Sequence, residues 1–126
     1  MPSIQKTVMI IEDEPDAAEL FAEMMRVSGF RVIRTYTSTP ALALIAQEKP
    51  DLILLDIMMP DVSGIEVLRY MRREPELKKI PVIVVSAKSM PSDIRDGLEA
   101  GASIYLTKPV GYIDLKNAVD RVIQAM

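Results

Sequence analysis

The sequence predicts one α/β domain, a doubly wound (βα)5 parallel sheet covered by helices on both faces. Three observations predict it. Five short apolar runs alternate with stretches of helical period; glycine and proline punctuate the boundaries; and acids, a hydroxyl and a lysine stand directly after the runs.

The runs are Thr7–Ile11, Arg31–Thr35, Leu52–Leu55, Val82–Val85 and Ser103–Leu106. Leu20, Phe21, Met24 and Val27 recur at helical spacing after the first run, and Ile65, Leu68 and Met71 after the third. The last segment repeats the rhythm with Leu115, Ala118, Val119, Val122 and Met126. Pro15 and Pro40 stand where a first helical residue belongs, with Thr39 as the N-cap before Pro40. Gly29 follows the first helix and Gly101 the fourth, both suited to a C-terminal turn of positive φ.

Val8–Ile11, Leu52–Leu55 and Val82–Val85 are continuously apolar, as strands buried on both faces are. The second run carries Arg31 and Arg34, and the fifth carries Ser103 and Tyr105, so these two read as edges. Short right-handed crossovers then favour the order 2-1-3-4-5. The chain reverses direction between strands 1 and 3, and a crevice opens there at the carboxyl ends of the strands.

Composition narrows the chemistry. The 126 residues, 49% of them apolar, make a single domain over 1–126 with its core at about 6–124. With 15 cationic and 18 acidic side chains the net charge is −3, a mild acidity that gives no encouragement to a nucleic-acid role, and no direct nucleic-acid partner is expected. Cysteine and histidine are both absent, which excludes disulfides, thiolate chemistry and the commonest metal ligand. Chemistry must run on carboxylates, hydroxyls, lysines and borrowed ions. The N-terminus lacks an apolar signal core, and no apolar run approaches the ~18–20 residues of a membrane span. The expected location is the cytoplasm.

Glu12 and Asp13 end the first strand and Asp56 ends the third, on either side of the crevice. One acid at a strand end is an ordinary loop residue. Three at one switch point repel one another and call for a hard divalent cation with oxygen ligands. Ser86 ends the fourth strand and Lys108 follows the fifth, facing the same rim. An ammonium, a hydroxyl and a cation can neutralise three phosphoryl oxygens while a carboxylate acts as nucleophile.

This set resembles the receiver domains of two-component response regulators, single-domain chemotaxis-type regulators among them, from about Lys6 to about Ile123. The phrase Asp56-Ile57-Met58-Met59-Pro60-Asp61-Val62-Ser63-Gly64 is similar to the family's phosphoacceptor loop. Gly101-Ala102 followed by Tyr105-Leu106-Thr107-Lys108-Pro109 is similar to its fifth-strand signature. The resemblance implies the flavodoxin-like (βα)5 fold, with Asp56 as phosphoacceptor and Mg2+ (or Mn2+) as cofactor. It implies that Asp13 binds the metal directly, Glu12 directly or through water, and the Met58 backbone carbonyl as a further ligand. Lys108 is expected to contact the phosphoryl group, with a cis Lys108–Pro109 bond, and Ser86 and Tyr105 to form the switch pair. Two positions depart mildly from the family pattern: Glu12 replaces the commoner aspartate, and Ser86 stands where threonine is also frequent.

The expected function is signal relay. A sensor histidine kinase or histidine phosphotransfer domain donates the phosphoryl group, which biases an inactive–active equilibrium. The readout surface is expected at about Ser92–Gly101, Ser103–Leu106 and Tyr112–Gln124, where a downstream protein binds; a homodimer on phosphorylation is a further expectation. Such a chain catalyses only its own phosphorylation and dephosphorylation and is not an enzyme in the usual sense. An aspartate-nucleophile phosphatase normally has a second aspartate where Met58 stands, together with a cap insertion. A phosphorylation-independent adaptor would lack one of the acids or the lysine. A flavodoxin-like cofactor module is disfavoured by the acidic turn Glu12-Asp13-Glu14-Pro15. With Met126 as its native end the chain is expected to stand alone; as part of a longer chain it would control an effector domain. The resemblance also implies that Met58 and Lys88, two residues beyond the acceptor and two beyond the switch hydroxyl, are the side chains best placed to hold the hydrolytic water. Neither orients water as a base, so a long-lived phosphoprotein is expected.

Overall fold

A computed structural model describes residues 5–59 and 61–125. Residues 1–4, Pro60 and Met126 lie outside the described residues.

Five strands and five helices alternate along the chain. They are β1 (Thr7–Ile11), α1 (Pro15–Val27), β2 (Arg31–Thr35), α2 (Ser38–Glu48), β3 (Leu52–Leu55), α3 (Gly64–Arg73), β4 (Val82–Ser86), α4 (Pro91–Ala100), β5 (Ile104–Thr107) and α5 (Tyr112–Gln124). The sheet is parallel throughout, in the order β2-β1-β3-β4-β5. The central strands are wholly buried and the edges only partly so.

Strand alternation divides the core in two. Val8, Ile10, Leu52, Leu54, Ile83 and Val85 face α1 and α5, where Phe21, Met25, Leu115 and Val119 meet them. Met9, Ile11, Ile53, Leu55, Val82 and Val84 face the other way, onto Ile45 of α2, Leu68 and Met71 of α3 and Ala100 of α4.

Local differences from the sequence expectation have physical reasons. In α1 the buried residues are Ala18, Phe21, Ala22 and Met25, while Leu20 and Val27 are 53% and 74% exposed. Small alanines let the helix lie close to the sheet, which turns its buried stripe away from those larger residues. Helix α2 begins at Ser38 with Thr37 in the cap position, so Thr39 is not the cap and Pro40 falls at the third helical position. Proline is tolerated there because first-turn N–H groups have no intrahelical acceptor. Strand β5 runs Ile104–Thr107, one residue later than the apolar run; Ser103 precedes it, with its N–H on the Val82 carbonyl at 2.8 Å and its Oγ accepting the Val82 N–H at 3.3 Å. Gly29 and Gly101 adopt φ of 94° and 119°.

Candidate functional site

Parallel strands deliver their carboxyl ends to one rim, and side-chain alternation decides who meets there. The alternation that sends Val8 and Ile10, Leu52 and Leu54, and Ile104 and Leu106 to the α1–α5 face continues to Glu12, Asp56 and Lys108. Backbone bonds extend the pairing past the strand ends, from Asp56 N–H to the Ile11 carbonyl (3.0 Å) and from Lys108 N–H to the Ser86 carbonyl (2.8 Å). Charged side chains at these three positions are thereby brought together.

Carboxylate oxygens of Glu12, Asp13 and Asp56 lie within 4.8 Å of one another. Glu12 and Asp56 are buried, and Asp13 is the more accessible of the three. Lys108 Nζ lies 2.5 Å from Glu12 Oε1 and 3.2 Å from Asp56 Oδ2. Asp56 Oδ1 accepts the Met58 N–H at 2.9 Å, so both oxygens of that carboxylate are held. The second oxygen of Glu12 accepts the Glu14 N–H at 3.3 Å. The Lys108–Pro109 peptide is cis.

Burial pushes the Glu12 carboxyl up to about 7; the hydrogen bond from Lys108 opposes this, and neighbouring Asp56 adds to it. Burial alone lowers the Lys108 ammonium. Its hydrogen bond to Glu12 and the charges of Asp56 and Glu12 prevail, and hold it above its ordinary value.

Three carboxylates thus face one ammonium. The donor set is all hard oxygen, and the excess negative charge suits a divalent cation of the Mg2+ type, which takes one or two carboxylates and completes its shell with water and phosphate oxygens. The residues fit such an ion.

Ser86, Tyr105 and Lys88 form a second tier on the β4 side. Ser86 is fully buried, and its Oγ accepts the Lys88 N–H at 3.2 Å. The Tyr105 hydroxyl donates to the Lys88 carbonyl at 2.7 Å. Burial raises the Tyr105 phenol, an effect opposed by hydrogen bonding toward Ser86 and reinforced by the charges of Asp93 and Asp56. Lys88 therefore joins the tier through its backbone, a role that no side-chain pattern announces. Lys88, with Met58 and Asp13, borders a cavity of about 510 Å³.

Three residues escape the sequence reading as contributors. Gly64 starts α3 against the Asp56–Ile57 backbone, where an added Cβ would sit 2.5 Å from Ile57 Cα. Gly97 faces the Tyr105 ring, 2.7 Å from where its own Cβ would be. Arg72 ties the end of α3 to the carbonyls of Lys78, Ile80 and Gly101. Of these only Gly64 carries a sequence signal, as the last residue of the loop phrase after β3.

The doubly wound sheet with acids and a lysine gathered at its switch point is the flavodoxin-like architecture of CheY-like receivers. The response regulator receiver domain matches residues 8–120, and the chain belongs to that family. The polar-differentiation response regulator DivK of Brucella ovis is 41% identical over 105 residues, covering 83% of this chain and 85% of its own. The signal receiver domain of a signal transduction histidine kinase from Syntrophus aciditrophicus is 30% identical, with a TM-score of 0.89 over 96% of this chain and 92% of that one. A CheY-like receiver domain protein from Methanospirillum hungatei is 25% identical, with a TM-score of 0.88 over 96% of each chain. The chain is a receiver of two-component phosphorelay signalling. Receivers of this family interact with histidine kinases, phosphotransfer proteins and downstream targets.

Proposed function

We propose that Asp56 is the phosphoacceptor, supplied by a phosphohistidine on a sensor histidine kinase or phosphotransfer domain. The observation that carries this reading is the Asp56 carboxylate itself: 7% exposed, oriented by Met58 N–H and Lys108, and grouped with two further acids. An Asp56 oxygen attacks phosphorus, the P–N bond breaks, and the imidazole leaves with the electron pair. Asp13, Asp56 and the Met58 carbonyl, with Glu12 directly or through water, would hold Mg2+ (or Mn2+), which when bound would offset charge on the phosphoryl oxygens. Lys108 neutralises a second oxygen and Ser86 donates to a third. The chain changes only its own phosphorylation state, so the reading is that of a switch and not of an enzyme with turnover.

Ser86 and Tyr105 act as the switch pair, linked through the Lys88 backbone that touches both. The downstream partner binds the face of α4, β5 and α5, where Ile94, Tyr105, Val110 and Asn117 help line a groove of 420 Å³; homodimerisation on phosphorylation uses the same face. The phosphodonor docks beside the pocket, where exposed Leu20 joins Ala17, Phe21 and Pro109 in a cavity of 360 Å³. The domain spans 1–126 with its core at about 6–124. Among the described residues no helix is long and apolar enough to cross a membrane, and the cytoplasm is the proposed location.

Acetyl phosphate with Mg2+ tests the assignment. Phosphate-affinity electrophoresis of wild type is expected to give one shifted band that Asp56→Asn abolishes. An equal shift in the asparagine variant removes Asp56 from this role.

A further inference from the structure

We propose that Asp61 is a positioning residue for the phosphoacceptor loop, serving as an N-cap that the loop lends to α2; this rests on the reading of Asp56 given above. The first N–H groups of a helix have no intrahelical acceptor, and a side-chain oxygen at the cap position ordinarily takes one of them. Helix α2 lacks that provision: Thr37 occupies the cap position, and its side chain makes no capping hydrogen bond. Instead Asp61 Oδ2, 22 residues away in sequence, accepts both the Thr39 N–H and the Thr39 hydroxyl at 2.9 Å. The next residue, Pro40, has no N–H to satisfy. A carboxylate at a helix N-terminus also meets the favourable end of the helix dipole.

The consequence lies in the loop. Its near end is held by Met58 N–H on Asp56 Oδ1, and its far end by Gly64 N–H on the Ile57 carbonyl at 3.3 Å. Gly64 presses on Ile57 Cα so closely that no side chain fits between them. Asp61 fastens the stretch between these points to a helix on the sheet's opposite side from Lys108's own face. Met59 and Val62 of the same stretch also pack against the core, so loss of the Asp61 bonds loosens Met58 without detaching the loop; the Met58 N–H aims the Asp56 carboxylate and its carbonyl is a proposed cation ligand. Helix α2 thus bears on the geometry of the acceptor through Asp61.

The test compares Asp61→Ala with Asp61→Asn, whose amide oxygen still accepts both Thr39 bonds. Amide exchange at Thr39 and Met58 and the Mg2+ dissociation constant are measured well below the melting temperature. In Asp61→Ala both amides are expected to exchange about fivefold faster and Mg2+ to bind about fivefold more weakly, the factor given by losing a cap worth ~1 kcal/mol. Leu54 and Ile83 amides stay at wild-type rates, and Asp61→Asn stays within about twofold of wild type throughout. Faster exchange at Thr39 with Met58 and Mg2+ affinity unmoved would reduce Asp61 to a local cap and overturn the proposal. Asparagine behaving like alanine would overturn it too, since charge and not the hydrogen bond would then matter. If the wild type takes no phosphoryl group from acetyl phosphate, the assignment of Asp56 fails, while Met58 exchange still decides whether Asp61 positions the loop.

Discussion

Lys108 Nζ lies 2.5 Å from Glu12 Oε1, an ion pair that joins the loops after β5 and β1 across 96 residues of chain. The pair is partly shielded from water, and a third party, Asp56, shares the same ammonium. Glu12 is therefore a carboxylate with only part of a counter-ion.

The first prediction is a pH dependence. The Glu12 carboxyl titrates at about 7 in the fold against 4.5 when unperturbed, so between those values the folded state holds a proton that the unfolded chain has released. Stability therefore falls as pH rises through that window. Lys108 is raised above 10.5 and contributes nothing to the slope there. Urea midpoints of the divalent-free protein at several pH values between 5 and 8 check this. The wild type should lose stability relative to Glu12→Gln as pH rises; a constant difference across the range would refute the assignment.

Cation binding should reverse the repulsion. Mg2+ is expected to raise Tm, because an ion that binds only the folded site stabilises it by mass action: about 2.7 kcal/mol at a hundred times its Kd. Asp13→Asn should raise the stability of the divalent-free protein and shrink the Mg2+ response. Melting curves in MgCl2 against NaCl of matched ionic strength decide it, and identical curves in both salts would remove the cation site.

The lifetime of the phosphoryl group should respond to the side chains that border the cavity beside Asp13, Met58 and Lys88 among them. Met58, 48% exposed, offers no group that can orient water, and Lys88 offers only donors. Met58→Asn combined with Lys88→Glu is expected to speed dephosphorylation about tenfold, which needs only ~1.4 kcal/mol of barrier. Decay of phosphoprotein after donor removal, at constant Mg2+, measures it. Equal or slower decay in the double variant would mean that these side chains do not govern water access.

Arg72 should matter to stability far from the site. Its guanidinium donates twice to the Gly101 carbonyl and also to Ile80 and Lys78, fixing the turn between α4 and β5. Arg72→Ala is expected to cost about 2 kcal/mol by leaving part-buried carbonyls without donors, and Arg72→Lys to recover less than half of it. Denaturant midpoints at unchanged slope check this, and a loss below about 0.5 kcal/mol would show that water replaces the guanidinium freely.

Much of this protein is legible in its sequence because strands and helices have different periods, and chemistry-bearing residues follow the strands directly. Continuous apolar runs at Val8–Ile11, Leu52–Leu55 and Val82–Val85 announce central strands, and charge at Arg31 and Arg34 announces an edge. Once the strand order is known, the acids after β1 and β3 must be neighbours. Periodicity alone did not find the buried stripe of α1, since Leu20 and Val27 look like core and Ala18 and Ala22 do not. Helix rotation is set by how closely a helix approaches the sheet, which depends on packing partners distant in sequence.

What the sequence by itself determined is the element order, the sheet and the identity of the acids and lysine at its rim, because these follow from local pattern and from a topology with few alternatives. Only the tertiary structure decided how those groups share one another: that one ammonium serves both Glu12 and Asp56, that the Lys88 backbone joins Ser86 to Tyr105, and that Asp61 caps a helix it does not belong to. The physical reason is range. Propensity and periodicity act over a few residues, whereas hydrogen bonds and ion pairs of ångström precision join segments up to 96 residues apart and exist only after the core has packed.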